Sequence, residues 1–263
     1  MKRTILANLM LLVAVAAFAW GQKGHDTTCH IAERHLTPAT QQAVSDIFDG
    51  KSLVYWANWL DNASHTPEYA YTKTWHYKNV NADETFETAY MNPAGDVCTA
   101  MRAQIETLAN PSVDKDKKAL ALKILIHITG DMHQPMHMGH ASDLGGNRIK
   151  VKYFGQNKNL HSVWDSSLPE SAHKWSYTEW ADQLDRLSPE QQRAVVAGSI
   201  DDWAKQNLVI ADKVYRETPA ETEMSYDEVA QWTPVIEQQF LNGGLRLAHI
   251  LNLIFDPGYS KNK

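Results

Sequence analysis

Four histidines, His127, His133, His137 and His140, fall within fourteen residues, with carboxylates among them at spacings that suit a metal ion. His127 and Asp131 are four apart, so on a helix the imidazole and the carboxylate share one face a turn apart, as a chelating pair requires. His161 and Asp165 repeat that spacing. In a chain with twelve histidines, random placement supplies about one such pair, so the two pairs gain weight only from their company. His137 follows six residues after Asp131, past a Gln134-Pro135 break that turns the chain back and lets a third donor approach the same place. Upstream, His25 lies five residues after Trp20. Imidazole nitrogen and carboxylate oxygen are the donors zinc takes when no thiolate is available. Zinc held this way can lower the pKa of bound water to ~7 and polarise a carbonyl or phosphoryl oxygen, so hydrolysis by a metal-held hydroxide is the chemistry such a site would offer.

The elements that must position these residues read mostly as helices. Thr37-Pro38 and Ser188-Pro189 each place a capping hydroxyl before a proline at the first helical position. Ala119 to Met132 carries Leu122, Leu125 and Ile126 at helical spacing and stops near Pro135. Helical patterns also cover Pro189 to Arg216 and Val235 to Ile254. From Asn147 to Phe154, Ile149, Val151 and Tyr153 alternate with Arg148, Lys150 and Lys152, which predicts a short strand or hairpin arm after Gly145-Gly146. No repeat, low-complexity tract or linker divides the chain. The expected fold class is all-α, one mostly helical domain over 20–263 with a short β-hairpin.

Residues 1–19 begin with Lys2 and Arg3, continue through an apolar run from Ile5 to Phe18 broken only by Asn8, and end in Ala17-Phe18-Ala19. That is the pattern of a signal peptide with a small-residue cleavage site, and the run is short for a membrane span of ~20 residues. An exported enzyme, periplasmic or secreted and free of the membrane once cleaved, is the expectation; an uncleaved anchor is the alternative. Cleavage after Ala19 makes Trp20 the first residue and removes two positive charges, taking the formal net charge from −6 to −8. An acidic surface is a poor nucleic-acid binder by bulk electrostatics, so a phosphate site must bring its own local positive charge. Cys29 and Cys98 are compatible with a disulfide in an oxidising compartment or with two buried free thiols.

Several stretches carry a resemblance. They are Ile126-His-Ile-Thr-Gly-Asp-Met-His-Gln-Pro-Met-His137, Gly145-Gly-Asn147, Asn159-Leu-His-Ser-Val-Trp-Asp165 and Gly243-Gly-Leu-Arg-Leu-Ala248. Over nearly all of the mature chain the sequence resembles the zinc-dependent single-strand-specific nucleases and 3′-nucleotidases of fungi and plants, which have bacterial relatives and share a helical fold with bacterial zinc phospholipases C. The resemblance implies three zinc ions. Asp61, His76, His127 and Asp131 would hold one; His137, His161 and Asp165 a second; and Trp20, through its amino nitrogen and carbonyl, with His25 and a shared Asp131, the third. Asp61 and Asp131 would thereby stand at the reacting centre as its catalytic carboxylates. The implied substrates are single-stranded nucleic acid or nucleotides, cut to 5′-phosphorylated products or nucleosides by a chain that acts as a monomer.

Substrate contacts are where the sequence departs from that family. Tyr77 fills a position where relatives stack a base, and stacking contributes ~1–3 kcal/mol per base without demanding one base identity. Asn79 stands where relatives carry a base-bonding aspartate, and Ser64 where they carry an arginine. Asn147 is either a phosphate or substrate contact or simply a turn residue after Gly145-Gly146. His133 and His140 are candidates for supporting or substrate roles, whereas His30, His35, His65, His173 and His249 read as ordinary surface or core residues. Two other functions fit the same ligands: a zinc phospholipase C, and a zinc-binding protein without turnover.

Overall fold

The structure, a computed structural model, describes residues 20–259, and the signal-peptide reading of 1–19 lies outside the described residues. Four helices, α1 (Gln22–Arg34), α2 (Pro38–Ile47), α3 (Leu53–Trp56) and α4 (Trp59–Ala63), lead to a 3-10 turn at Ala70–His76. Next come α5 (Val97–Ala109), α6 (Lys115–Asp131) and two 3-10 turns, Pro135–Met138 and Ala141–Asp143. The hairpin strands β1 (Lys150–Tyr153) and β2 (Gln156–Asn159) run into α7 (Leu160–Ser162), a π turn at Val163–Ser167 and α8 (Leu168–Ala172). The chain closes with α9 (Tyr177–Leu184), α10 (Pro189–Val196), α11 (Ile200–Glu217), β3 (Glu223–Met224) and α12 (Tyr226–Phe255). The mostly helical single domain with a small β element is therefore as expected.

Helix α6 is the central post. Asp114 caps it by accepting the Lys117 N–H, and from Leu122 to Asp131 nearly every residue is buried, the mark of a helix packed on all sides. Helix α12 lies across α1, and the approach depends on Gly244, where an added Cβ would meet Ile31 at 2.5 Å. Trp20, Trp164, Trp180, Trp232 and Phe240 fill the core with fully buried rings, several packed edge to face.

The expected caps form: the Thr40 N–H donates to Thr37 and the Gln191 N–H to Ser188. The pattern from Pro189 to Arg216 is not one helix. It breaks at 197–199, because Gly198 takes φ +95° and Ser199 opens a new helix through a capping box with Asp202. Helix α12 begins at Tyr226 rather than Val235 and runs through Pro234; the Ser225–Glu228 capping box starts it, and burial of Trp232 and Ile236 on either side offsets the backbone bond that proline removes.

The hairpin turns at Phe154-Gly155, both with positive φ, and pairs Lys150 with Asn159 and Tyr153 with Gln156. The two-residue β3 adds to β1 in parallel and was too short to show alternation. Cys29 and Cys98 are both buried free thiols, and burial raises both, Cys98 to about 12. No helix among the described residues is long and apolar enough to cross a membrane.

Candidate metal centre

Six separate elements converge on the end of α6. That helix supplies His127 and Asp131, α1 supplies His25, α4 supplies Asp61, and the Ala70–His76 turn supplies His76. The Pro135–Met138 turn brings His137, while α7 and the following π turn bring His161 and Asp165. Three groups of ligand atoms result, each with its atoms within 4.8 Å of one another: His25, His127 and Asp131; Asp61, His76 and His127; and His137, His161 and Asp165. Asp131 ties them together. One of its oxygens lies 2.9 Å from His76 Nδ1 and 3.3 Å from His127 Nε2, the other 3.5 Å from both His25 Nε2 and His137 Nδ1.

Backbone carbonyls fix the rings. Nδ1 lies 2.7 Å from the Ala57 carbonyl in His127, 2.8 Å from the His76 carbonyl in His137 and 2.6 Å from the Gly145 carbonyl in His161. A proton held at Nδ1 by such a bond leaves Nε2 with its lone pair toward the cluster, the tautomer a metal needs. His25 reaches α6 because residue 130 is glycine: an added Cβ there would meet His25 Nδ1 at 2.8 Å.

The donor set fits a metal for a specific reason. Both ring nitrogens of His25, Nε2 of His76, Nε2 of His127 and Oδ1 of Asp131 are buried without a hydrogen-bond partner. In proteins most buried polar atoms are satisfied, and each orphan costs ~1–3 kcal/mol. Elsewhere among the described residues the orphans are indole, hydroxyl and amide groups, whereas here they are imidazole and carboxylate atoms of one cluster. Nδ1 of His25 lies against Gly130, but the other four atoms, Nε2 of His25, His76 and His127 and Oδ1 of Asp131, gather at one place and are explained by ions that they would ligate.

Charge in the metal-free protein follows the same geometry. Burial pushes Asp131 up, but the neighbouring charges of His127 and His137 overcome it and hold the carboxyl well below the usual carboxylate range. Burial likewise pushes His127 down, yet Asp131 and Asp61 hold its imidazole well above its ordinary value. His25 is lowered by burial and by His127, and His137 falls to about 3 through burial and the nearby His161 and His76. Asp165 is pushed well up by burial, with Asp131 adding to the rise.

Sequence reasoning missed the supports. Gln134 donates to Asp165 Oδ1 at 2.6 Å and accepts the Met136 N–H, so one amide holds a carboxylate and the turn that carries His137. Behind it, Asn207 donates to the carbonyls of Met132 and Gln134, and Gln239 donates to that of His133. The only local signal was a glutamine between a histidine and a proline at the turn after α6. Gln134→Leu is expected to weaken metal affinity by ~10–100-fold, as loss of an outer-shell partner does. Competition with a chromophoric chelator measures this, and parental affinity in the variant would remove Gln134 from the site.

Tyr77, Asn79 and Asn147 come together with Met136, Arg148 and His161 around a cavity of about 410 Å³ beside the centre. Asn147 is also a turn residue, since its side chain donates to the Leu144 carbonyl at 2.9 Å. Ser64 is buried and its hydroxyl donates to the Asp61 carbonyl, so this position offers no cation to a substrate. His133 is buried behind Asp131, between the Thr129 carbonyl and Arg246, and supports the turn. His140 stacks on Tyr215 near Asp143, outside the three groups. Of the remaining histidines, His35 pairs with Asp185 and His173 with Glu237, both away from the centre.

Trp20 is fully buried against Phe240, and the Gly21 N–H donates to the backbone carbonyl of Asp165 at 2.7 Å, which ties this segment to a residue of the centre. The family model described as S1/P1 Nuclease matches residues 20–256, a span that includes every ligand candidate. The chain is 28% identical to Endonuclease 3 of Arabidopsis thaliana across 97% of its own length and 96% of the relative's. It is 29% identical to Endonuclease 4 of the same plant, over 96% and 95%. To Nuclease S1 of Aspergillus oryzae it is 28% identical, over 93% and 94%. With a metal-ligand cluster of this composition and a match that spans the described domain, the chain belongs to the S1/P1 nuclease family.

Proposed function

We propose that this protein is an exported enzyme that holds three zinc ions and hydrolyses phosphoester bonds in single-stranded DNA or RNA and in 3′-nucleotides. The observation that carries the reading is the set of orphaned buried ligand atoms converging on Asp131. Asp61, His76, His127 and Asp131 would hold one ion; His137, His161 and Asp165 the second; His25, Asp131 and the amino nitrogen and carbonyl of Trp20 the third. When bound, zinc supplies a Lewis acid for the phosphate and activates water at neutral pH. The chain itself contributes rigidity and exclusion of solvent, because the carbonyl-anchored rings and the fully buried Asp131 need no rearrangement as charge develops. Tyr77 offers a ring to a base, and the Asn79 amide offers both a donor and an acceptor to its edge.

The enzyme is expected to release acid-soluble nucleotide from single-stranded DNA or RNA, and nucleoside from 3′-AMP, while leaving lecithin intact. Phosphocholine release alone would replace this reading with a phospholipase. Zinc that exchanges freely with no hydrolysis of any substrate would favour a binding protein.

Export enters the chemistry, because cleavage before Trp20 would create the amino ligand. Protein bearing extra residues before Trp20 is expected to retain two zincs, lose the third and fall in activity by more than about tenfold, as removal of part of a metal's ligand shell does. Metal analysis finding three zincs in such a protein would refute the amino-terminal ligand.

A further inference from the structure

Beside the cavity at His161, a second and larger depression of about 720 Å³ runs along the hairpin, walled by Lys150, Asn157, Lys158, Asn159 and Ser162, with Glu221 on the remaining side. Consecutive residues of α7 line the two spaces, His161 the first and Ser162 the second. Asn159 fixes that junction by capping α7: its side chain accepts the Ser162 N–H at 2.7 Å and its carbonyl accepts the Ser162 hydroxyl at 3.0 Å.

The charge of this groove is unlike the rest of the molecule. The chain is acidic overall, at −6, yet from Leu144 to Trp164 it contains Arg148, Lys150, Lys152 and Lys158 and no carboxylate. Lys152 is committed to Glu223 at 2.9 Å. The ammonium groups of Lys150 and Lys158 enter no ion pair or side-chain hydrogen bond among the described residues. Among the described residues Glu221 makes no ion pair, although its charge helps to raise Lys152, and its backbone N–H is bound to the Lys150 carbonyl at 2.7 Å. Lys150 is paired with Asn159 and Lys158 with Val151, so the two uncommitted cations reach the groove from opposite faces of the hairpin. Against one carboxylate, they suit an extended anion that passes along the hairpin edge.

We infer that this groove binds the phosphodiester backbone of a single strand beyond the nucleotide at the metal centre, through Lys150 and Lys158. The inference rests on the nuclease reading and adds to it a length dependence: strands long enough to enter the groove gain contacts that a mononucleotide cannot make. Each phosphate neutralised on a single strand contributes about 0.7 to the slope of log affinity against log salt, and six to ten contacts are worth ~10³–10⁵ in affinity between low and moderate salt, or roughly threefold each.

The test compares Lys150→Ala/Lys158→Ala with the parent zinc enzyme on a 20-nucleotide single strand and on 3′-AMP, across a salt series. Both positions are at the protein surface, and Lys115→Ala/Lys117→Ala at the far end of α6 serves as a control for bulk charge. The double variant is expected to raise KM for the strand about tenfold and to reduce its salt slope by about 1.4, with 3′-AMP kinetics unchanged. Glu221→Gln is expected to act in the opposite direction, lowering the strand KM. An unchanged strand KM and slope in an enzyme that cuts both substrates would overturn the groove and leave the nuclease reading standing. Equal losses on 3′-AMP, or equal losses in the control, would overturn it as well. A parent enzyme that cuts neither substrate would overturn both readings.

Discussion

Asp131→Ala is expected to abolish phosphoester hydrolysis, by more than about a thousandfold, and to strip the protein of two of its metal positions together. Loss of a residue that only supports a metal ligand costs ~10–100-fold in affinity or activity, and Asp131 would itself be a ligand shared between two ions. Its two oxygens lie against His76 and His127 on one side and against His25 and His137 on the other, with no solvent exposure. Alanine would leave those imidazoles facing one another with no anion between them, in an interior that does not tolerate unpaired charge. The variant's zinc content and its rate on 3′-AMP measure the effect. Full activity in Asp131→Ala would refute the shared-ligand assignment.

Removal of metal by chelation is the second large effect. Binding of an ion to the folded state alone stabilises it by RT ln(1 + [L]/Kd), about 4 kcal/mol for one site at a thousandfold excess over Kd, or roughly 8–16 °C in Tm for a domain of this size. Chelation leaves four orphaned ligand atoms buried in one place, so the loss is expected to reach at least that of a single site. Scanning calorimetry with and without chelator reads it directly, and an unchanged Tm would show that folding and metal binding are not linked.

Acidification works on the same linkage. Burial opposes a charge on His127, but Asp131 and Asp61 overcome it and raise the imidazole well above its ordinary value, while burial favours the protonated carboxyl of Asp165. Metal uptake must displace those protons, so affinity is expected to rise with pH through the neutral range. His25 and His137, both lowered chiefly by burial, enter as neutral ligands and add little to that slope. Calorimetric titrations in buffers of different ionisation enthalpy count the protons released.

The ligands were legible in the sequence because their spacing is local. His127 and Asp131 are one helical turn apart, and the run to His137 is contiguous, so face-sharing on α6 could be read without a fold. His25 was a candidate from its place near Trp20, but Asp61 and His76, and the joining of all three to this centre, came through family resemblance, since no local rule brings three distant segments to the end of one helix. The supports were illegible for the same reason. Gln239 and Asn207 act on the turn after Asp131 from α12 and α11, across 106 and 75 residues, and the role of Gly130 is visible only when His25 is seated against it. His133 was an open candidate and proves to be a buried brace on Arg246. The break between α10 and α11 was masked by a helical pattern on both sides of Gly198, where a capping box outcompetes continuation.

The measurement that bears most directly on the central claim is hydrolysis of a single-stranded oligonucleotide by metal-free protein titrated with zinc. No cleavage is expected in chelated protein, with activity rising to a plateau at the third equivalent and products carrying a 5′-phosphate. Cleavage that persists in fully chelated protein, or none at any zinc concentration, would contradict the account.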